Sequence, residues 1–134
     1  MVSQAQEREI LQAAKVIAVV GYSNDPSRTS YQIGKFLKQV GYTVYAVNPT
    51  LDEIDGEKVY HALADVPEPI DIVNVFRRSE FLDGVVDEAI AVKAKTVWAQ
   101  LGVFDTAAAA KAEQAGLAMV MDTCIKVSYN QLMR

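Results

Sequence analysis

Hydroxyls, an amide and a guanidinium crowd one short stretch of this chain: Ser23, Asn24, Ser27, Arg28, Thr29 and Ser30. All of them donate to anionic oxygens, and a helix starting where the stretch ends adds free N–H groups, so the chemistry on offer is phosphate recognition. Arg77 and Arg78 make a second basic centre. Two cations at a helix start oppose its dipole by about 0.3–1 kcal/mol each, which points to an anion that compensates them. Covalent chemistry is poorly provided for. Ser23 has no identified base partner, and Ser79 reads as a helix cap. The one histidine, His61, stands beside Tyr60 with no carboxylate pattern around it, which gives it a surface or packing role. Together with the single cysteine, Cys124, it offers no metal-ligand spacing, so no metal is expected.

The elements that must position these groups follow an alternating pattern. Residues 16–20 are an unbroken apolar run ending in Gly21, as a central parallel strand covered on both faces requires. Before it, residues 1–14 predict a short docking helix with Ser3 and Gln6 as a capping box. After it, Thr29 and Gln32 fit a second capping box, and Ile33, Phe36, Leu37 and Val40 make one buried helical stripe that Gly41 ends. Further strands are expected at 42–47, 71–76, 96–101 and 118–121, with helices capped by Ser79 and Asp105 between the later ones. The stretch 50–69 reads as a long irregular crossover, with a turn at Asp55 and Gly56 and a short helical piece near Tyr60, and the tail from 122 is left open.

Five strands alternating with helices predict an α/β fold, a doubly wound parallel Rossmann-like sheet in one domain spanning 1–134, with strand order 3-2-1-4-5. That order puts the switch point between the first strand and the one at 96–101, and ligands bind outside the carboxyl ends of strands there. Past those ends lie Gly21, Tyr22 and Ser23; Asn48 and Pro49; Phe76, Arg77 and Arg78; Gln100, Leu101 and Gly102; and Asp122. Tyr22 directly follows the strand-ending glycine, so exposure and ligand contact are expected of it, whereas Trp98 lies within a strand and is assigned to the core.

A dinucleotide is the obvious ligand for such a fold, and the residues argue against it. The G-x-G-x-x-G fingerprint is replaced by Gly21, Ser23 and Pro26, and the acidic residue that reads a ribose diol is replaced by Asn48. No Walker loop occurs either. What fits is a phosphate-bearing adenine ligand without a free ribose diol. A formal charge of −4 and pI near 4.9 give no global field for nucleic acid or an anionic membrane. No apolar run reaches the roughly 20 residues of a membrane span. One cysteine excludes an internal disulfide framework, and the first residues lack a secretory pattern, so the chain reads as cytoplasmic.

Five blocks, VVGYSNDPSRTSY, YAVNPTLDEIDG, DIVNVFRR, WAQLG and GLAMVMDTCI, together resemble the stand-alone coenzyme A-binding domain family, related to the CoA-binding domain of succinyl-CoA synthetase alpha subunits. Coenzyme A has a diphosphate, an adenine and a 3′-phosphate that blocks the ribose diol. The resemblance implies that Gly21, Tyr22, Ser23 and Asn24 approach the diphosphate with Arg28 and Ser30 nearby, and that Asn48 and Pro49 border the adenosine. It places Phe76, Arg77 and Arg78 beside the nucleotide or its phosphates, and Gln100, Leu101 and Gly102 along the pantetheine arm. The synthetase's phosphate-carrying histidine and its partner subunit have no counterpart in this sequence.

The resulting expectation is a small non-catalytic cytoplasmic module that carries, senses or presents CoA or an acyl-CoA, as a monomer or homodimer, with a protein partner where it presents its ligand. Two alternatives stand beside it. One is a CoA-dependent transferase or thiol-exchange enzyme using Cys124 or a partner subunit, against which a lone cysteine is ordinarily a small buried hydrophobe. The other is a nucleotide-binding regulatory domain, which binds NAD or AMP in preference to CoA.

Overall fold

The computed structural model describes residues 2–133. At its centre, β1 (Val16–Val20) is buried along its whole length, which is why the sequence there is wholly apolar. It pairs in parallel with β2 (Thr43–Val47) and β5 (Ile72–Val75). Beyond β5 come β6 (Thr96–Ala99) and β7 (Ala118–Val120), also parallel. Beyond β2 lies β4 (Glu57–Tyr60), whose outer neighbour β3 (Glu53–Ile54) is antiparallel to it. The helices α1 (Gln4–Ala13), α2 (Thr29–Gln39) and α5 (Ile125–Leu132) cover one face, over Ile17, Val19, Ile72 and Trp98. Helices α3 (Leu82–Ala91) and α4 (Thr106–Gln114) cover the other, over Ala18, Val73, Val75 and Val97.

The doubly wound parallel architecture is the one expected, but the sheet has seven strands in the order β3-β4-β2-β1-β5-β6-β7. The additional pair lies in the stretch read as an irregular crossover. Asp55 and Gly56, at φ 53° and 81°, form the turn of a hairpin, and both residues tolerate that left-handed backbone. Since β4 takes the place beside β2, residues 71–76 do not: β5 lies against β1, and the switch point falls between β1 and β5 rather than between β1 and the strand at 96–101.

Helix starts divide between expectation and correction. Ser3 and Gln6 form their capping box, at 3.2 and 2.8 Å, and Asp105 accepts from Ala107 and Ala108 at 3.0 and 3.1 Å. Thr29 does not cap α2. Arg28 occupies that position without a side-chain bond, and Gln32 reaches back instead to the Pro26 carbonyl at 3.2 Å. Nor does Ser79 cap α3, which begins after a 3-10 turn, Ser79–Phe81. The tail left open by sequence becomes α5, tied to α1 by Ser128 donating to Glu7 at 3.0 Å.

At the opposite edge of the sheet from the strand ends that matter below, Asp71 accepts from the Lys15 and Val16 amides at 2.8 and 2.9 Å and faces Lys95 at 3.3 Å. Burial works against its charge, but the two amides and Lys95 outweigh it and hold the carboxyl below its ordinary value. The unfolded chain therefore binds the extra proton first, so this stabilisation is complete above the unfolded value, about pH 4, and is lost as pH falls through the folded one. Asp71→Asn should lower unfolding stability by about 1–2 kcal/mol at pH 7. In urea titrations the gap between the two proteins should narrow as pH falls below about 4 and through the folded value; a gap that stays constant across the acid range would assign the effect to geometry instead.

Candidate functional site

The carboxyl ends of β1 and β5 open into a polar cleft of about 500 Å³ lined by Gly21, Ser23, Asn24, Asp25, Arg28, Thr29, Ser30 and Phe76. Gly21 makes the approach possible. Its φ is 86°, and a side chain there would drive into the Phe76 carbonyl. The chain then turns over α2 in a loop that supplies its own scaffold. Ser30 accepts from the Ser23 amide at 3.0 Å, the Ser23 hydroxyl from the Asp25 amide at 3.0 Å, and Asp25 from the Ser27 amide and hydroxyl at 2.9 and 2.8 Å. The Ser27 amide, then its hydroxyl, hold the Asp25 carboxyl below the usual carboxylate range. With no side chain capping α2, the N–H groups of its first turn face the cleft beside the exposed Arg28.

Asn48, at the end of β2, closes one side. Its amide donates to the Tyr22 carbonyl at 3.0 Å, and its oxygen accepts from the Thr50 amide and hydroxyl at 2.9 and 2.8 Å, leaving Pro49 exposed beside it. Asn48 thus clamps the β1 loop to the end of β2. Tyr22 departs from its expected exposure: its side chain is 3% exposed and lies beneath α2 in the notch left by Gly34, and burial raises its hydroxyl to about 12. Only its backbone borders the loop.

On the other side, Phe76 leads to Arg77 and Arg78, whose guanidiniums lie 4.5 and 5.3 Å from the centre of the Phe81 ring. Arg78 also pairs with Glu80 at 3.2 Å. One further strand along, Gln100 turns away from the edge. It is 4% exposed, and its oxygen accepts from Asn74 and from the Ile125 amide, both at 3.3 Å, so it braces α5 from inside. Leu101 and Gly102 remain at the surface, with the Gly102 amide held by Asp122 at 2.7 Å.

Of the residues singled out from sequence, Gly21, Ser23, Asn24, Arg28, Ser30 and Phe76 share the cleft. Asn48 joins it through the Tyr22 carbonyl, and Arg77, Arg78, Leu101 and Gly102 continue the same edge. Asp25 was missed as a lining residue, although the run Asp-Pro-Ser carries the pattern of a side chain folding onto the amide two residues on. His61 pairs with Asp52 at 2.8 Å on the far hairpin, a carboxylate partner the sequence pattern did not show. Cys124, half-buried, stands at the start of α5 and packs against the core under α1, α2 and α5. A second cavity of about 300 Å³ lies between α2 and the β3–β4 hairpin, where Lys38 pairs with Glu57 at 3.1 Å and Tyr31 donates to Asp55. Among the described residues, no helix is long and apolar enough to cross a membrane, and no three His, Cys, Asp or Glu side chains cluster as metal ligands.

Relatives share this arrangement over different lengths. YneT of Bacillus subtilis (strain 168) is 46% identical over 127 residues, 95% of this chain and 94% of its own. A protein of known structure from Pyrococcus horikoshii OT3 superposes with a TM-score of 0.95 at 35% identity, over 99% of this chain and 94% of that one. The alpha subunit of ADP-forming acetate–CoA ligase II from Pyrococcus furiosus is 36% identical over 67 residues, 49% of this chain but 15% of the subunit, so the match is to one small part of that protein. The pattern of the CoA binding domain runs from residue 15 to residue 130, from the start of β1 into α5, and this chain belongs to that family.

Proposed function

We infer that this chain binds coenzyme A or an acyl-CoA along the carboxyl edge of its sheet and acts as a non-catalytic module that carries, senses or presents that ligand. The observation that carries the reading is the uncapped start of α2, facing the cleft between Arg28, Ser23 and Ser30 in a chain of the CoA-binding domain family. The diphosphate sits on the amides of that first turn, where the dipole and Arg28 both favour negative charge. The adenosine lies toward Asn48 and Pro49, the 3′-phosphate is met by Arg77 and Arg78, and the pantetheine arm passes Leu101 and Gly102. Arg78 is already engaged by Glu80, which makes Arg77 the stronger contributor.

A module rather than an enzyme is favoured by the placement of the reactive groups: His61 is tied to Asp52 on the hairpin, and Cys124 packs into the core at the start of α5. Calorimetric titration with CoA, dephospho-CoA, NAD, AMP and ATP tests the reading. CoA should bind one to one and tightest, with dephospho-CoA weaker by about tenfold or more, as loss of a charge-assisted contact implies. An Arg77→Ala, Arg78→Ala double variant should bind the two alike. Absence of CoA binding overturns the proposal, and preference for NAD or AMP turns it into a nucleotide-responsive domain. Acyl-CoA incubated with the protein should stay intact; turnover lost in Cys124→Ser would make the chain an enzyme.

A further inference from the structure

Four large apolar side chains stand exposed among the described residues: Phe81 at 39%, Leu101 at 69%, Phe104 at 54% and Val127 at 50%. Val127 is alone on α5, but the other three lie in the loops after β5 and β6, neighbouring strands of the sheet. Ser79 staples those two loops together, donating to the Gly102 carbonyl at 3.4 Å and accepting from the Phe104 amide at 2.9 Å. The outward position of Leu101 is built in. It sits in a turn whose next residue, Gly102, has φ 85° and is held by Asp122. Clustered exposed apolar surface of this kind marks a place that something apolar covers.

What covers it follows from the neighbouring cleft. Phe76 lines that cleft, and the arginines next along the chain lie against the ring of Phe81, so phosphate site, cations and apolar surface form one continuous edge. From β1 to β6 is two strand spacings, about 10 Å. The pantetheine arm, comparable to four residues of extended chain, reaches about 14 Å. In the other direction, past the carboxyl end of β4, the edge carries Asp52 paired with His61, with Asp65 beside them, polar groups that suit no apolar chain.

We propose that the ligand is an acyl-CoA with an apolar acyl chain, and that the chain lies on Phe81, Leu101 and Phe104. The inference rests on the CoA reading above and names the ligand form that reading left open. Each methylene that leaves water on this surface strengthens binding by up to about fourfold. Octanoyl-CoA should therefore bind at least about tenfold tighter than CoA, with acetyl-CoA close to CoA.

The test titrates CoA, acetyl-CoA and octanoyl-CoA into the parent protein, Phe104→Ser and Val127→Ser. Phe104 is exposed and uses only its backbone amide in the staple, so the serine variant should keep the parent's affinity for CoA and lose most of the octanoyl advantage. Val127→Ser should leave both unchanged. Equal affinity for CoA and octanoyl-CoA overturns the acyl site while leaving the CoA site standing. Failure of all three ligands to bind overturns both. If sedimentation shows self-association that Phe104→Ser abolishes while acyl preference is absent or unaltered, the surface is a contact between protein copies and the acyl assignment falls.

Discussion

Gly21→Ala is expected to lower unfolding stability by about 2–5 kcal/mol. Two independent costs contribute. A residue with a Cβ held at φ 86° costs about 1–2 kcal/mol. The added atom also meets the Phe76 carbonyl, a backbone group of a residue whose own amide is held by the Val20 carbonyl at 2.8 Å, and overpacking there costs about 1–3 kcal/mol more. Gly84 is the internal comparison. It is an exposed position in α3 with nothing near an added Cβ, so Gly84→Ala should raise stability by about 0.5–1 kcal/mol, the helix propensity difference. Urea unfolding of both variants checks the contrast. A Gly21→Ala protein as stable as the parent would mean that β1 and the Phe76 segment yield to each other, and the close approach that shapes the cleft would lose its structural role.

The contrast also shows where sequence is informative. Strand β1 was legible because five consecutive apolar residues have to be covered on both faces, and the following loop was legible because polar residues directly after such a strand have nowhere to go but its carboxyl edge. The β3–β4 hairpin was not. Its strands are short, Glu53, Glu57 and Lys58 face solvent, and Ile54 and Val59 alone are buried with Tyr60 partly so, too little alternation to register against the charges around it. That omission passed on to the sheet order, since an unseen β4 left the place beside β2 to residues 71–76. Ser79 illustrates a different limit. A serine before an apolar helical stripe satisfies the local rule for a cap, yet its hydroxyl joins a loop 23 residues away, and no local pattern encodes that partner. Gln100 is expected along the ligand, although alternation holds the signal for its inward turn: Trp98 is assigned to the core, and a residue two further on shares its face.

Tyr22 and Gly34 should behave as one unit. The ring of Tyr22 occupies the space where a Gly34 side chain would be, meets Tyr31 edge-on at 6.2 Å, and is almost wholly removed from water. Tyr22→Ala should cost about 3–5 kcal/mol, as loss of a large buried ring does. Gly34→Ala alone should cost up to about 2 kcal/mol, overpacking of about 1–3 kcal/mol being offset by about 1 kcal/mol of better helix propensity. In a Tyr22→Ala background the clash is gone and the added methyl enters the space the ring vacated. There Gly34→Ala should become neutral or stabilising, a coupling of about 1–3 kcal/mol in a double-mutant cycle. Additive effects would show that α2 shifts away from the ring at no cost. Because the Tyr22 side chain faces the core rather than the cleft, the cycle also bears on the site: Tyr22→Phe should leave the affinity for CoA within about twofold of the parent, the scale of a contact that is not made. A tenfold loss would instead bring the hydroxyl into ligand recognition.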